Sequence, residues 1–332
     1  MQVLYIVRLV IGWTVSASRR HVSTVHFQRG GILNPEAESN TGDDSVASNL
    51  VSGVSAAETW TESFVQRCRR QFGDHFCHTL NYFSLPNGFT LSVVVPVYNE
   101  ASTVRMVIDR LVATGLPLQI VLVDDGSSDD SAQQLHQIAA SLSAEGDQSA
   151  SCAARVVVLE HPVNRGKGAA IRTGVAATDG DVVVIQDADL EYDPQDFRRL
   201  LRPIVQDEAD VVYGTRYGSA DRLVSPWWHQ MVNRFLSNLS GMLIGPRLTD
   251  VETCYKMARG DVFRRTAAAC GENRFGIEIE LTARFSRARL RFAEKPIRYR
   301  HRWYGEGKKI GWRDGVSAIR CIIWYGLFTR SV

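Results

Sequence analysis

Asp181-Val-Val-Val-Ile-Gln-Asp-Ala-Asp-Leu-Glu191 is the stretch that decides the fold. An unbroken β-branched run ends in the carboxylates Asp187, Asp189 and Glu191. A short apolar run without alternation reads as a strand buried on both faces, which parallel sheets produce because crossover helices cover them. Carboxylates at the carboxyl end of such a strand stand where open α/β sheets bind ligands. Hard oxygen ligands gathered at one point suit Mg2+ or Mn2+, and those ions suit a diphosphate. An acidic turn that merely closes a strand has the same local sequence, so the neighbouring segments have to decide.

Those neighbours repeat the pattern. Leu91–Val97, Gln119–Asp124, Arg155–Leu159 and Asp210–Tyr213 are further β-branched runs. Between the first two, Ser102 can cap a helix with Val104, Val107, Ile108, Leu111 and Val112 on one face. Ser128 or Asp129 can start the next, which carries Leu135 and Ile138. Strand–helix alternation at this spacing predicts an α/β fold, a mostly parallel sheet with helices on both faces. The strands end in Asn99-Glu100, in Asp124-Asp125-Gly126-Ser127, in the turn from Asn164 to Gly168, and in Asp187 and Asp189. In a parallel sheet these ends share one rim. A carboxylate at Asp124 or Asp125 can accept hydrogen bonds from a ribose or a base edge, or start an Asx-turn. In Asn164-Arg165-Gly166-Lys167-Gly168 the glycines allow close backbone approach, Lys167 is cationic, and the helix that follows favours an anion at its N-terminus. The spacing is not that of a Walker A loop.

The bulk numbers are consistent with one large domain or two ordinary ones: 332 residues, 45% hydrophobic and 22% charged. A net charge of +2 gives no reason to expect a nucleic-acid partner. The six cysteines form no Cys-x-x-Cys pair, which argues against a zinc site or disulfide framework and fits a reducing compartment. Met1 to Ala17 is apolar but short for a membrane span and interrupted by Arg8. A weak anchor, a targeting sequence and a misassigned start codon all fit it. Residues 30–57 read as a flexible linker. Phe64, Val65, Cys68, Phe72, Phe76 and Leu80 then recur at near-helical spacing.

Taken in order, Val95-Pro96-Val97-Tyr98-Asn99-Glu100, Val123-Asp124-Asp125-Gly126-Ser127-Ser128-Asp129, Asn164-Arg165-Gly166-Lys167-Gly168 and Gln186-Asp187-Ala188-Asp189 resemble glycosyltransferase family 2, inverting enzymes of the GT-A fold. The chain looks most like the dolichyl-phosphate or polyprenyl-phosphate mannosyltransferase branch. The resemblance continues through Tyr213-Gly214-Thr215-Arg216-Tyr217, Thr249-Asp250-Val251-Glu252-Thr253-Cys254-Tyr255-Lys256 and Arg274-Phe275-Gly276-Ile277-Glu278-Ile279-Glu280, to Arg302-Trp303-Tyr304-Gly305-Glu306-Gly307-Lys308-Lys309. In the last element Gly307 replaces a family serine and removes a hydroxyl. The resemblance implies a GT-A (Rossmann-like) catalytic domain at 89–320, preceded by an N-terminal extension, 1–88, that is partly disordered with one helix.

It also implies roles. Pro96, Tyr98, Glu100, Asp124, Asp125, Lys167 and Asp187 would bind the nucleotide-sugar, GDP-mannose or a UDP-hexose. Asp187 and Asp189 would ligate Mg2+ or Mn2+, with Glu191 adding a third oxygen where lipid-phosphate mannosyltransferases often carry Gln. Asp189 and Arg216 would act at the diphosphate, and Arg302 and Lys308 would clamp the phosphate of a polyprenyl or dolichyl acceptor. Such an acceptor oxygen is already anionic and needs no strong base, whereas an alcohol acceptor would need one, for which Asp250 is the candidate. Direct attack on C1 implies inversion. A soluble or glycan acceptor, or a catalytically silent scaffold, are the alternatives.

From Arg284 to Arg313 cations dominate, interleaved with Trp303, Tyr304 and Trp312, and an apolar stretch from Val316 to Phe328 follows. This C-terminal tail, 315–332, is too short to span a bilayer but suits an interfacial helix on an anionic surface, as does Pro226 to Ile244; a buried helix suits both equally. The expectation is a peripheral protein at the cytoplasmic face of a membrane.

Overall fold

The computed structural model describes residues 54–146, 154–217, 227–301 and 312–328. Helix α1 (Glu62–Thr79) precedes strand β1 (Leu91–Val97), and then α2 (Val104–Val112), β2 (Leu118–Asp124), α3 (Ser131–Gly146) and β3 (Arg155–Glu160) follow. The alternation continues through α4 (Lys167–Ala176), β4 (Val182–Ile185), α5 (Phe197–Val205) and β5 (Val211–Thr215). The chain then forms α6 (Trp227–Leu243), β6 (Lys256–Arg259), α7 (Gly260–Ala269), α8 (Ile277–Arg287), β7 (Phe292–Pro296) and α9 (Trp312–Phe328).

The strands form one sheet in the order β3-β2-β1-β4-β6-β5-β7. All pairings are parallel except those of β6, which runs against both β4 and β5. The mostly parallel sheet expected from the alternation is therefore present. β4, the strand of the opening stretch, is buried at every residue. Pro96 sits in the central strand β1 without breaking it. Gln186 N donates to Val94 O on the β4 side, so two residues on, the missing N–H of Pro96 also faces β4, past the last paired residue, Ile185. Helix α4 lies close enough to β1 and β2 that a Cβ on Gly174 would stand 2.5 Å from Val94 Cγ1.

The carboxyl ends of β1 to β5 share one rim. Because β6 is antiparallel, its amino end reaches the same rim, and so the loop from Thr249 to Tyr255 arrives beside Asp187 and Arg216. β6 and β7 were not expected from the sequence: both are short and carry charged residues. In β6, Lys256 is buried at no cost in unpaired donors, because its ammonium donates to Val251 O (2.9 Å) and to Thr253 O and lies 4.7 Å from the Tyr213 ring centroid.

The hydrophobic core starts earlier than residue 89. Trp60, Phe83 and Phe89 belong to the same buried cluster as β1 and α2. The Trp60 indole donates to Thr114 O at 2.9 Å, and the Arg198 guanidinium lies 3.7 Å from its ring centroid while donating to Thr59 Oγ1 at 2.6 Å. Burial drives the Arg198 pKa down to about 10. At Gly115 (φ +66°) the chain passes so close to Ala56 that a Cβ would meet Ala56 C at 2.3 Å. Helix α1 buries Phe64, Val65, Cys68 and Cys77 and is broken at Gly73.

A second buried cluster joins α6, α8 and α9 through Leu236, Ile279, Ala283, Ala318, Cys321 and Ile322. Outside it, α6 leaves Met231, Phe235 and Met242 exposed at helical spacing, and α9 leaves Val316, Trp324, Leu327 and Phe328 exposed. Among the described residues no helix is long and apolar enough to cross a membrane.

Candidate active site

The first polar strand ends are tied to one another. Asn99, held at φ +52°, accepts from Ser128 N at 2.8 Å, and Ser127 Oγ accepts from Asn99 N at 3.0 Å. Asp124 is buried; its Oδ2 accepts from Ser127 N at 3.0 Å, and its Oδ1 has no hydrogen-bond partner among the described residues. A buried acceptor without a donor costs on the order of 1–3 kcal/mol, so this oxygen is poised for an N–H or O–H from a ligand. Tyr98, the residue after β1, is exposed on the rim, just past the pair of Val97 with Asp124. Pro96 pairs with Val123, one position before the last pair of β1 and β2, Val97 with Asp124.

Asp125, expected as a nucleotide contact, is held within the protein through both of its oxygens. Its Oδ1 accepts from Arg165 N (2.9 Å) and its Oδ2 from Gly166 N (2.7 Å), while His161 Nδ1 lies 2.7 Å from Oδ1. His161 is fixed in turn by Thr173, 2.9 Å from its Nε2. Both oxygens are taken inside the protein, so Asp125 anchors the loop that presents Lys167.

Lys167, the first residue of α4, lies 2.8 Å from Asp187 Oδ1 and 2.9 Å from Glu278 Oε1. Burial alone would favour loss of its proton, but the carboxylates of Asp187 and Glu278 outweigh that and hold its pKa well above the ordinary lysine value. Glu278 is buried, and its Oε2 has no hydrogen-bond partner among the described residues. Glu280, two residues further in the same first turn, serves the fold: it accepts from Gly271 N and Glu272 N and pairs with Arg284.

Asp189 sits among carboxylates. Burial, then Asp187 and Glu191, push its pKa up to about 8, with Glu100 adding to the effect. The Glu191 N–H donates to Asp189 Oδ1 at 3.1 Å. Glu100 Oε2 lies 2.9 Å from Thr103 Oγ1, which is also 2.9 Å from Ala188 O, so α2 begins against the acidic loop. Glu191, expected as a third metal ligand, accepts from Tyr299 OH through Oε2 at 2.7 Å, while its charge still acts on Asp189. Among the described residues no three His, Cys, Asp or Glu side chains are grouped to hold a metal. Asp187 and Asp189 alone still fit a divalent ion that takes its other ligands from a diphosphate and water. The crowding of negative charge around Asp189 is the observation that supports such an ion, since nearby like charges raise a carboxyl pKa unless a cation offsets them.

Asp250 is not available as a base. It is fully buried, Arg216 Nε and Nη2 each donate to it at 2.7 Å, and Arg216 N and Asn233 Nδ2 donate at 3.0 and 2.9 Å. Burial by itself would raise its pKa, yet the paired guanidinium holds it below the ordinary value. Asp250 therefore fixes Arg216, whose guanidinium also lies 5.2 Å from the Tyr299 ring centroid. Glu252, in the same loop, behaves oppositely: burial, then Glu278, raise its pKa to about 7. Sequence reasoning assigned no role to Glu252 or Glu278. The available signal was glutamates set into apolar context, as in Phe275-Gly276-Ile277-Glu278-Ile279, where a surface helix would place only polar neighbours. Arg302 and Lys308, expected to hold the acceptor phosphate, lie outside the described residues.

Residues 92–268 match the sequence model of Glycosyl transferase family 2. The undecaprenyl-phosphate 4-deoxy-4-formamido-L-arabinose transferase of Edwardsiella ictaluri is 32% identical over 222 residues, 66% of this chain and 62% of that protein. The chain thus matches less than two thirds of that relative's length. The undecaprenyl-phosphate mannosyltransferase of Micrococcus luteus is 28% identical over 245 residues, 71% of this chain and 94% of that protein. Among solved structures, glucosyl-3-phosphoglycerate synthase from Mycobacterium tuberculosis, in complex with UDP, superposes with a TM-score of 0.51 at 22% identity, covering 81% of this chain and 86% of that one. That likeness is one of fold.

Proposed function

The chain belongs to glycosyl transferase family 2, and from that membership we propose that it moves a hexose from a nucleotide-sugar to a polyprenyl or dolichyl phosphate, with inversion and with a divalent ion. Mannose is the first donor sugar to test, because the relative matched over 94% of its length is a mannosyltransferase. The observation that carries the reading is the carboxyl rim itself, where Lys167 meets Asp187, Asp189 stands among the charges of Asp187 and Glu191, and Asp124 keeps a buried oxygen without a hydrogen-bond partner among the described residues.

In this reading Asp124 accepts from the nucleoside, and Glu100 and Tyr98 flank it on the rim. Lys167 and Arg216 supply positive charge where the diphosphate leaves. Bound to Asp187 and Asp189, Mg2+ or Mn2+ would offset the charge that develops on that leaving group. The acceptor phosphate oxygen attacks C1 as the bond from C1 to the diphosphate oxygen breaks, and the bonding pair stays with the diphosphate. No proton has to be removed, which agrees with an Asp250 locked to Arg216. Arg302 and Lys308 are assigned to the acceptor phosphate. The exposed apolar stripes of α6 and α9 support contact with the membrane that holds such a lipid, at its cytoplasmic face.

Purified protein incubated with Mn2+, labelled nucleotide-sugars and polyprenyl phosphate should give label in the organic extract. No labelled lipid with any donor would overturn the proposal. One observation favours a second reading, a hydroxyl acceptor: Glu252, with its pKa raised to about 7, is suited to take a proton. Glu252→Gln separates the two. It leaves transfer to phosphate within a few-fold, whereas a general base is worth about 10²–10⁴ in rate.

A further inference from the structure

We propose that Lys167 is a latch that keeps the metal position closed until a diphosphate arrives, and that Glu278 is the dock that receives the released ammonium. The proposal rests on the metal reading of Asp187 above. Lys167 Nζ sits between two carboxylates on different elements, 2.8 Å from Asp187 at the end of β4 and 2.9 Å from Glu278 in the first turn of α8. An ammonium at hydrogen-bond distance from Asp187 occupies an oxygen that a divalent ion would need, and it repels that ion at close range. Mn2+ alone therefore has to displace a cation that is already in place.

A nucleoside diphosphate changes the balance. Its oxygens add negative charge and ligands for the metal, and they offer the ammonium a new partner. Metal and diphosphate together compete with Lys167 for Asp187 in a way that neither does alone, so each should raise the affinity of the other by the same factor. The displaced ammonium has a prepared place. Glu278 is buried, already holds Lys167 through Oε1, and presents an Oε2 without a hydrogen-bond partner among the described residues. An ammonium has three N–H donors, so a small shift lets it bond both oxygens of Glu278 and leave Asp187 to the metal. The loop cannot simply carry Lys167 away, because Asp125 holds Arg165 N and Gly166 N, and a Cβ at Gly168 would meet Glu272 O at 2.4 Å. Motion is confined to the flexible lysine side chain.

The test is Mn2+ binding by calorimetry and electron paramagnetic resonance on the full chain, without nucleotide and then with GDP or UDP. Lys167→Gln should bind Mn2+ alone at least tenfold more tightly than the wild type, and the enhancement by nucleoside diphosphate should shrink by a similar factor. Lys167→Arg keeps a cation in place and should behave like the wild type, which also controls for folding. Glu278→Gln weakens the dock and should leave Mn2+ binding weak even with nucleoside diphosphate present. Equal affinity of wild type and Lys167→Gln for Mn2+ alone overturns the latch and leaves the transferase reading untouched. A protein that binds no Mn2+ in any state, nucleotide included, overturns the metal reading and the latch with it.

Discussion

Asp250→Ala tests whether the carboxylate is an anchor. The substitution removes both guanidinium contacts at 2.7 Å, the contact with Arg216 N at 3.0 Å and that with Asn233 Nδ2 at 2.9 Å. Asp250 is fully buried and the Arg216 side chain is 20% exposed, so little solvent is available to replace it. Leaving one charge of such a pair uncompensated costs about 3–5 kcal/mol. For a domain of this size each kcal/mol lowers Tm by about 2–4 °C, so a fall of roughly 6–20 °C is expected. Urea melts followed by tryptophan fluorescence at pH 7 measure the loss. The double variant Arg216→Ala/Asp250→Ala removes the stranded cation and should be more stable than Asp250→Ala alone. Asp250 titrates below its ordinary value in the folded protein, so its contribution is present above the unfolded carboxylate pKa of about 3.9 and is lost as pH falls through the lower folded value. A single-variant loss below about 1 kcal/mol, or losses that simply add to within about 0.5 kcal/mol, would refute the anchor.

Asp189→Asn should abolish the rise in Tm produced by Mn2+ with nucleoside diphosphate, read by scanning fluorimetry. With its folded pKa raised to about 8, Asp189 costs stability as pH rises above about 3.9, a cost that saturates above the folded value. The same variant should therefore be more stable than the wild type at pH 7 without metal; an unchanged or lower Tm there refutes the charge crowding. Trp60→Ala should cost about 3–5 kcal/mol in urea melts, because it empties a core position and strips Arg198 of its ring and Thr114 O of its donor. A loss under about 1 kcal/mol would mean that the segment before residue 89 is not part of the core. Trp324→Ser/Phe328→Ser, on the exposed stripe of α9, should reduce co-sedimentation with anionic vesicles several-fold at unchanged Tm, and unchanged sedimentation would remove that stripe from the membrane contact.

The strand runs and polar strand ends were legible in the sequence because they are local. A short unbroken run of β-branched residues favours a strand buried on both faces, and residues that follow it without a gap fall on the rim. Leu91–Val97, the run before Asp187 and the order of the motifs therefore determined the parallel sheet and the position of Asp124, Asp187 and Asp189. The partners of those residues were decided only by tertiary structure. Asp125 and Asp124 are adjacent in sequence, yet one is spent on a loop while the other keeps an unpartnered oxygen, because burial and donors come from His161 and Arg165. Asp250 is an anchor and Glu252 a carboxyl near neutrality for the same reason: Arg216 reaches one and Glu278 stands beside the other. β6 escapes sequence reading because four residues, with a lysine first, carry no period; only the sheet on both sides makes them a strand. The sequence by itself determined which chemistry reaches the rim, through local hydrophobic pattern. Which of those groups pair, and which remain for a ligand, was decided by contacts between segments far apart in the chain, since charge and desolvation act through space.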